Sequence, residues 1–128
     1  RRLGMAIRSL NKSLDDELWT DSMHLSSKGE AAFKKERKAV KELQNTMKSK
    51  KSLLDDAQLQ DLINRILDVD KKLALIAIED AEDEGEEKLI EKANEQIELG
   101  DEAASEGRSR GAVNHYLQAW EFAVKAAS

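Results

Sequence analysis

Apolar residues recur at helical spacing through most of the chain, and the pattern divides into five segments. No segment alternates apolar and polar residues with the period of two that a half-buried strand shows. Short connections between helices favour antiparallel neighbours, so the pattern predicts an all-α fold of about five helices in an up-and-down bundle. The first predicted helix is short and places four large apolar residues on one face: Leu3, Ile7, Leu10 and Leu14.

The remaining helices differ in how much of their circumference is apolar. The second, from about Ser27 to Lys48, has a narrow stripe formed by Phe33, Val40, Leu43 and Met47. The third follows a capping Asp55 or Asp56 and is apolar on so many sides that we expect it to lie centrally, with neighbours on at least two sides. The fourth and fifth predicted helices run from about Glu86 to Glu106 and from about Arg108 to Ala127.

Length and composition narrow the class of protein further. The chain has 128 residues, of which 37% are charged, and it contains neither Pro nor Cys. This length is enough for a hydrophobic core, so we expect residues 1–128 to form a single helical domain. The lack of Cys excludes disulfides, thiolate metal sites and a Cys nucleophile. No apolar run reaches the roughly 18 residues that a membrane span needs, so we expect no membrane insertion.

The charge is distributed unevenly along the chain. Residues 1–52 carry 13 basic and 7 acidic residues, a net charge of +6, whereas residues 53–128 carry 8 and 19, a net charge of −11. Surfaces of opposite charge attract each other within a fold or between copies, with a strength that falls as salt rises. We therefore expect the partners to be other domains of a larger parent protein or copies of the chain itself.

The acidic turn after the third predicted helix has the spacing of a calcium loop. Oxygen donors stand at the first, third, fifth and twelfth positions of an EF-hand loop, with Gly85 at the sixth: Asp80, Glu82, Glu84 and Glu91. However, Glu occupies positions where the shorter Asp or Asn is preferred, and the charged Glu87 occupies the normally apolar eighth position. We favour a solvated turn in which Gly85 ends the third helix, with calcium as the alternative and no other cofactor.

The segment between the first two predicted helices holds the second candidate site. It places a Trp and a His on either side of a carboxylate, so its interaction candidates are Trp19, Asp21 and His24. A hydrolase would use Ser22 as nucleophile, but neighbours in sequence seldom form a catalytic triad, so we predict no enzyme activity. The alternative, which we favour, is that Trp19, Met23 and Leu25 close the end of the bundle while Asp21 bonds nearby backbone amides.

The second predicted helix carries a basic stripe, Lys34-Lys35-Glu36-Arg37-Lys38, which continues with Lys41, Lys48, Lys50 and Lys51. A nucleic-acid binder would usually add interleaved aromatic residues or glycines and an overall basic charge. Here glutamates interrupt the stripe and the isoelectric point is about 5.2. The pattern therefore predicts a solvated helix face and no nucleic-acid partner.

Residues 93–126 resemble one tetratricopeptide (TPR) repeat. The Leu-Gly pair, the mid-turn Gly and the small-aromatic-small pattern of that family fall on Leu99-Gly100, Gly107, Ala112, Tyr116 and Ala119. Ala103 replaces an expected aromatic, Val124 replaces the common Pro, and the preceding 34 residues do not match. The resemblance implies a single hairpin of two closely packed helices rather than a solenoid. We predict that Tyr116 and Trp120 are buried.

The order of elements as a whole resembles helical accessory modules near the ends of secreted or cell-surface multidomain proteins of bacteria and archaea. The residues that carry this resemblance are the helix around Ala6-Ile7, Leu10 and Leu14, the loop Trp19-x-Asp21-x-x-His24-Leu25, the basic helix, and Tyr116-x-x-Ala119-Trp120. It implies a non-catalytic interaction module of a larger extracellular or cell-surface protein. The alternative is an intracellular, TPR-like adaptor that holds a peptide beside Tyr116 and Trp120, so a cytoplasmic location stays open.

Overall fold

The computed structural model describes residues 2–14, 18–19, 24–25, 29–48, 55–83 and 85–128, with side chains from residue 5 onward. These residues form five α-helices, which confirms the predicted all-α class. In the described ranges the only extended pairing is one isolated antiparallel bridge between Trp19 and Leu25. The helices are α1 (Arg2–Ser13), α2 (Glu30–Lys48), α3 (Asp56–Ala81), α4 (Glu87–Ser105) and α5 (Ser109–Ala127).

Helix α3 begins where its sequence predicts. The side chain of Asp55 accepts a hydrogen bond of 2.7 Å from the amide of Gln58, and the Gln58 side chain accepts one of 3.0 Å from the amide of Asp55. This reciprocal capping box satisfies two amides that the first turn of a helix would otherwise leave unpaired. The predicted cap is therefore confirmed. Helix α2 starts at Glu30, three residues later than its sequence pattern suggests.

The helices form two packed pairs, and α3 contacts both of them. Helix α1 packs mainly on α2, and α4 packs on α5. The amide of Glu86, before α4, donates a 3.3 Å hydrogen bond to the carbonyl of Ala126, at the end of α5, so this pair is antiparallel. Helix α3 contacts α2, α4 and α5, which confirms its predicted central place. Helix α5 also contacts three helices, α2, α3 and α4.

One hydrophobic cluster joins buried side chains from all five helices. The predicted apolar stripe of α2 is confirmed, since Phe33, Val40 and Leu43 are fully buried and Met47 is half-buried. The ring of Phe33 lies 5.7 Å from the ring of Trp120 on α5, at 44° between their planes. Aromatic pairs tilted at this distance are favourable beyond the area they bury. This contact connects the N-terminal pair of helices to the C-terminal one.

The predicted apolar face of α1 is wrong at two of its four residues, and the side chain of Leu3 lies outside the described ones. Ile7 and Leu14 are 52% and 65% exposed, and Leu10 is half-buried. The face that packs instead carries small side chains, since the buried residues of the described part of α1 are Ala6, Ser9 and Ser13. Small side chains let two helix backbones approach closely, and dense contact outweighs the gain from burying two larger side chains against a single neighbour.

The α4–α5 hairpin is packed most closely where Gly100 faces Tyr116. A Cβ atom built on Gly100 would lie 2.5 Å from Cε1 of Tyr116, closer than real atoms approach. Gly107, in the connection, has φ of +78°, a conformation that glycine adopts at little cost. Tyr116 and Trp120 are 2% and 6% exposed, which confirms their predicted burial. The tyrosine hydroxyl donates a 2.7 Å hydrogen bond to Asp101.

Candidate functional site

A basic groove of about 1140 Å³ lies between α2 and the start of α5. Its walls are α2, the α4–α5 connection and the first turns of α5, with Gln60 of α3 at one edge. One acidic residue, Glu42, also lines the groove and is largely buried. Seven cationic side chains line it: Lys34, Arg37, Lys38, Lys41, Lys48, Arg108 and Arg110.

Most of these cations form no ion pair with another described residue. Lys34 pairs with Glu30 at 2.6 Å, and Arg108 pairs with Glu106 at 2.7 Å. The other lysines and Arg110 form no ion pair with any residue that the structure describes. The Lys34 end is the more balanced one, because Glu30 pairs with Lys34 there. Burial and the nearby Glu30 raise the pKa of Glu121, and Lys34 opposes part of that rise. The unpaired cations therefore lie toward the middle and far end of the groove.

Local structure explains how these side chains come together. Residues 34, 38, 41 and 48 follow helical spacing, so they lie along one side of α2. Arg37 donates a 2.6 Å hydrogen bond from Nη1 to Oδ1 of Asn114, which holds its guanidinium beside the start of α5. Asn114 stands one helical turn after Arg110, so the two arginines share this side of the groove. The turn at Gly107 sets the direction of α5 and with it the position of Arg110.

The sequence pattern identifies five of the seven groove cations, all of them on α2. It predicts the basic stripe of α2 as a solvated helix face. Four of its lysines are exposed, whereas Lys35 and Arg37 are half-buried and Glu36 is buried: the exposed ones are Lys34, Lys38, Lys41 and Lys48. Lys50 and Lys51 lie outside the described residues. It misses Arg108 and Arg110, because they lie far from α2 in the sequence and meet it only through the fold. The available signal is the local run Gly107-Arg108-Ser109-Arg110-Gly111, in which two cations flank the start of a helix.

The structure brings together the two loops that the sequence singles out. Nε2 of His24, in the first loop, lies 2.8 Å from Oδ2 of Asp80, at the end of α3. Both side chains are about half exposed. A pocket of about 220 Å³ adjoins them, with mostly apolar walls from α3 and α5 that include Ile76, Trp120 and Val124. This contact attaches the loop to the bundle.

Trp19 has the structural role that we favour for it. Its Nε1 donates a 2.7 Å hydrogen bond to the carbonyl of Ser13, and its ring packs against the hydrophobic core, as does Leu25. Asp21 lies outside the described residues, as do Ser22 and Met23. The predicted interaction spot therefore has two described members, Trp19 and His24, and Trp19 is engaged in closing the loop.

The predicted calcium ligands lie on three different elements. Asp80 belongs to α3, Glu82 follows its end in helical conformation, and Glu91 is exposed on α4. Glu84 lies outside the described residues. Among the residues that are described, no three His, Asp or Glu side chains converge as a metal site requires. The calcium alternative stays a prediction: a melting temperature that rises with calcium relative to a chelator would support it, and an unchanged one would contradict it.

Besides Glu42, two carboxyl groups are buried that the sequence pattern does not single out, Asp70 and Glu36. Asp70 of α3 is fully buried, and neither of its oxygens has a hydrogen-bond partner among the described residues. Glu36 of α2 has one such oxygen, and its burial raises the pKa to about 8. Both stand in the register of an apolar stripe, three or four residues from buried neighbours such as Leu73 and Ala39. That register is the signal that predicts their burial.

Comparison with protein-family models, curated proteins and solved structures finds no match to this chain. In the described part of the chain, no helix is both long and apolar enough to cross a membrane. The proposed function therefore rests on the basic groove.

Proposed function

We propose that the protein is a non-catalytic helical interaction module that binds an acidic segment of a partner protein in its basic groove. The observation that supports this most strongly is the set of groove cations without ion-pair partners in the described structure. Unpaired like charges around one concave surface repel each other, and an acidic partner relieves that repulsion while gaining Coulomb energy. The partner is another domain of a larger parent protein or a second copy.

The lining of the groove favours a protein over a nucleic acid. Among the described residues that line it, none is aromatic. Proteins that bind single-stranded nucleic acids usually offer aromatic rings on which bases stack. An acidic peptide needs only cations and hydrogen-bond donors, which the lysines, Arg110 and Asn114 supply.

The second candidate function is that of a TPR-like adaptor, in which α4 and α5 form the TPR-like hairpin. Its expected peptide groove lies beside Tyr116 and Trp120, and both rings are buried in the core. This burial weighs against peptide contact with those rings. The secreted or cell-surface location is likewise a proposal, supported by the resemblance of the element order, and a signal peptide in the complete gene would support it.

Titration with a fluorescent Glu-rich peptide tests the proposed function. We expect binding at low salt that is lost near 1 M salt, where the Debye length is about 3 Å. The double variant Lys38→Gln/Lys41→Gln should bind about tenfold more weakly, because it removes two exposed charge contacts.

The matched control is Lys72→Gln/Lys125→Gln, which removes the same charge from exposed lysines outside the groove. It should bind as the unchanged protein does. Equal weakening by both variants would show that only net charge matters, and no binding by the unchanged protein would refute the proposal outright.

A further inference from the structure

Helix α4 carries an acidic stripe that matches the basic groove in length. Five exposed glutamates stand three or four residues apart on one side of the helix: Glu87, Glu91, Glu95, Glu98 and Glu102. None of them forms a salt bridge with a residue that the structure describes. The stripe spans about 22 Å of helix, and the cations of α2 from Lys34 to Lys48 span about 21 Å.

Within one chain the two surfaces cannot neutralise each other. No residue of α4 lines the groove, and α2 and α4 are not principal neighbours in the bundle. Helix α4 packs on α5 and α3 with its other sides, through residues such as Ala93, Ile97 and Gly100. Its acidic stripe therefore faces away from the core.

We propose that the occupant of the basic groove is helix α4 of a second copy of this chain. This inference rests on the proposed function and names its partner. An α-helix with glutamates along one side presents carboxylates at the spacing of the lysines on α2, so several pairs form in one register. The two surfaces differ, so a contact between one groove and one stripe leaves a second groove and a second stripe to bind further copies.

The association is weak and sensitive to salt. A single helix lying in a groove buries less area than a standard protein interface, and exposed ion pairs contribute little each. We therefore expect association that grows with protein concentration and disappears as salt screens the charges. The lysines beside the stripe set its edge: Lys88 and Lys92 flank it, and Lys92 lies over the ring of Phe122 at 5.9 Å.

Two one-sided variants test the contact by sedimentation velocity. Glu91→Gln/Glu95→Gln/Glu98→Gln removes the stripe and keeps the groove, whereas Lys38→Gln/Lys41→Gln removes the groove and keeps the stripe. At low salt each variant alone should sediment as a monomer, while an equimolar mixture should form a 1:1 heterodimer. The unchanged protein should form larger, concentration-dependent species that dissociate at high salt.

The control Glu79→Gln/Glu82→Gln/Asp83→Asn changes the net charge as the stripe variant does, but at exposed acidic residues outside α4. It should associate like the unchanged protein. A mixture that stays monomeric, or a one-sided variant that still associates alone, would overturn the inference. If the unchanged protein stays monomeric but binds the Glu-rich peptide, self-association is refuted and the proposed function stands. If it does neither, both fail.

Discussion

The two helical pairs of this protein use their surfaces differently. Helices α4 and α5 are joined by residues 106–108 and bury Tyr116 and Trp120, with Gly100 pressed against Tyr116. Helices α1 and α2 are joined by residues 14–29, pack through small side chains, and leave Ile7 and Leu14 exposed. The α4–α5 pair uses its surface mainly for packing in the core. The α1–α2 pair leaves the outer side of α2 uncovered, and that side lines the groove.

A small set of polar contacts explains how the C-terminal pair is held to the rest of the bundle. The carboxylate of Asp101, on α4, accepts a hydrogen bond from Tyr116 of α5 and a 3.0 Å one from Lys71 of α3. Burial and the neighbouring Asp101 both raise the pKa of Tyr116, so its hydroxyl stays protonated and donates. Three helices thus meet at one side chain. No such junction was found among the described residues of α1.

The largest expected effect follows from the core of the C-terminal pair. Trp120→Ala removes a buried ring that contacts Phe33, and we expect a loss of about 3–5 kcal/mol in the free energy of unfolding. Denaturant unfolding measures this loss. A cost below about 1 kcal/mol would contradict the packing of α5, since even partial burial of so large a side chain contributes more.

The second effect concerns Glu36, a buried acid on the helix that carries the groove. Its pKa is about 8 in the folded protein and 4.5 in the unfolded chain. The stability that this group contributes is therefore fully present below pH 4.5. That stability is lost as the pH rises through the folded value. Glu36→Gln removes the titration, and at pH 7 we expect it to stabilise the protein by about 3 kcal/mol.

Unfolding measured from pH 5 to pH 9 checks this prediction. The unchanged protein should lose stability toward alkaline pH, and Glu36→Gln should show a flatter dependence. Parallel curves for the two proteins would show that this carboxyl is solvated, which would contradict its burial in α2.

The third effect separates two glycines of the C-terminal pair. Gly100→Ala places a methyl group against the tyrosine ring that Asp101 holds in place, so we expect a loss of about 1–3 kcal/mol. Gly111→Ala is the matched control, because the nearest atoms to its added Cβ lie 3.8 Å away. It should stabilise α5 by about 0.5–1 kcal/mol through helix propensity. Thermal or denaturant unfolding measures both, and equal effects would contradict the close approach at Gly100.

The smallest effect is expected at Ile7 of α1, a large apolar residue on the exposed side of the helix. Ile7→Ser should change stability by less than about 0.5 kcal/mol, because its side chain is mostly exposed. Ala6→Leu should cost about 1–3 kcal/mol, because it forces a larger group between α1 and α2. If Ile7→Ser cost more stability than Ala6→Leu in denaturant unfolding, the result would support the apolar face that the sequence pattern predicts.

The sequence predicts the helices well because each is a local pattern. Helical spacing locates α2 to α5 within a few residues, and Asp55 caps α3 as its side chain suggests. The face of α1 is predicted wrongly because periodicity weighs large apolar residues and ignores small ones such as Ala6. Packing against a single neighbour selects by fit, which the pattern does not contain.

The groove is predicted only in part because it is assembled from distant segments. Lys38 and Lys41 are visible as a local charge pattern, whereas their meeting with Arg110 depends on how α5 lies across α2. Asp70 is missed for a different reason: its register is apparent, but a charged residue there is usually assigned to the solvent side. Only the fold shows whether charges that are far apart in sequence lie close together.

In the proposed contact, the side of α2 that lines the groove of one copy binds the acidic side of α4 of another copy. Amide chemical shifts, recorded at low salt as the protein concentration is raised, test it most directly. If the contact forms, the changes are concentrated in residues 34–48, 87–102 and 107–114, and high salt reverses all of them. Shifts that stay constant, or that fall mainly on α3 and the 18–25 segment, would contradict it.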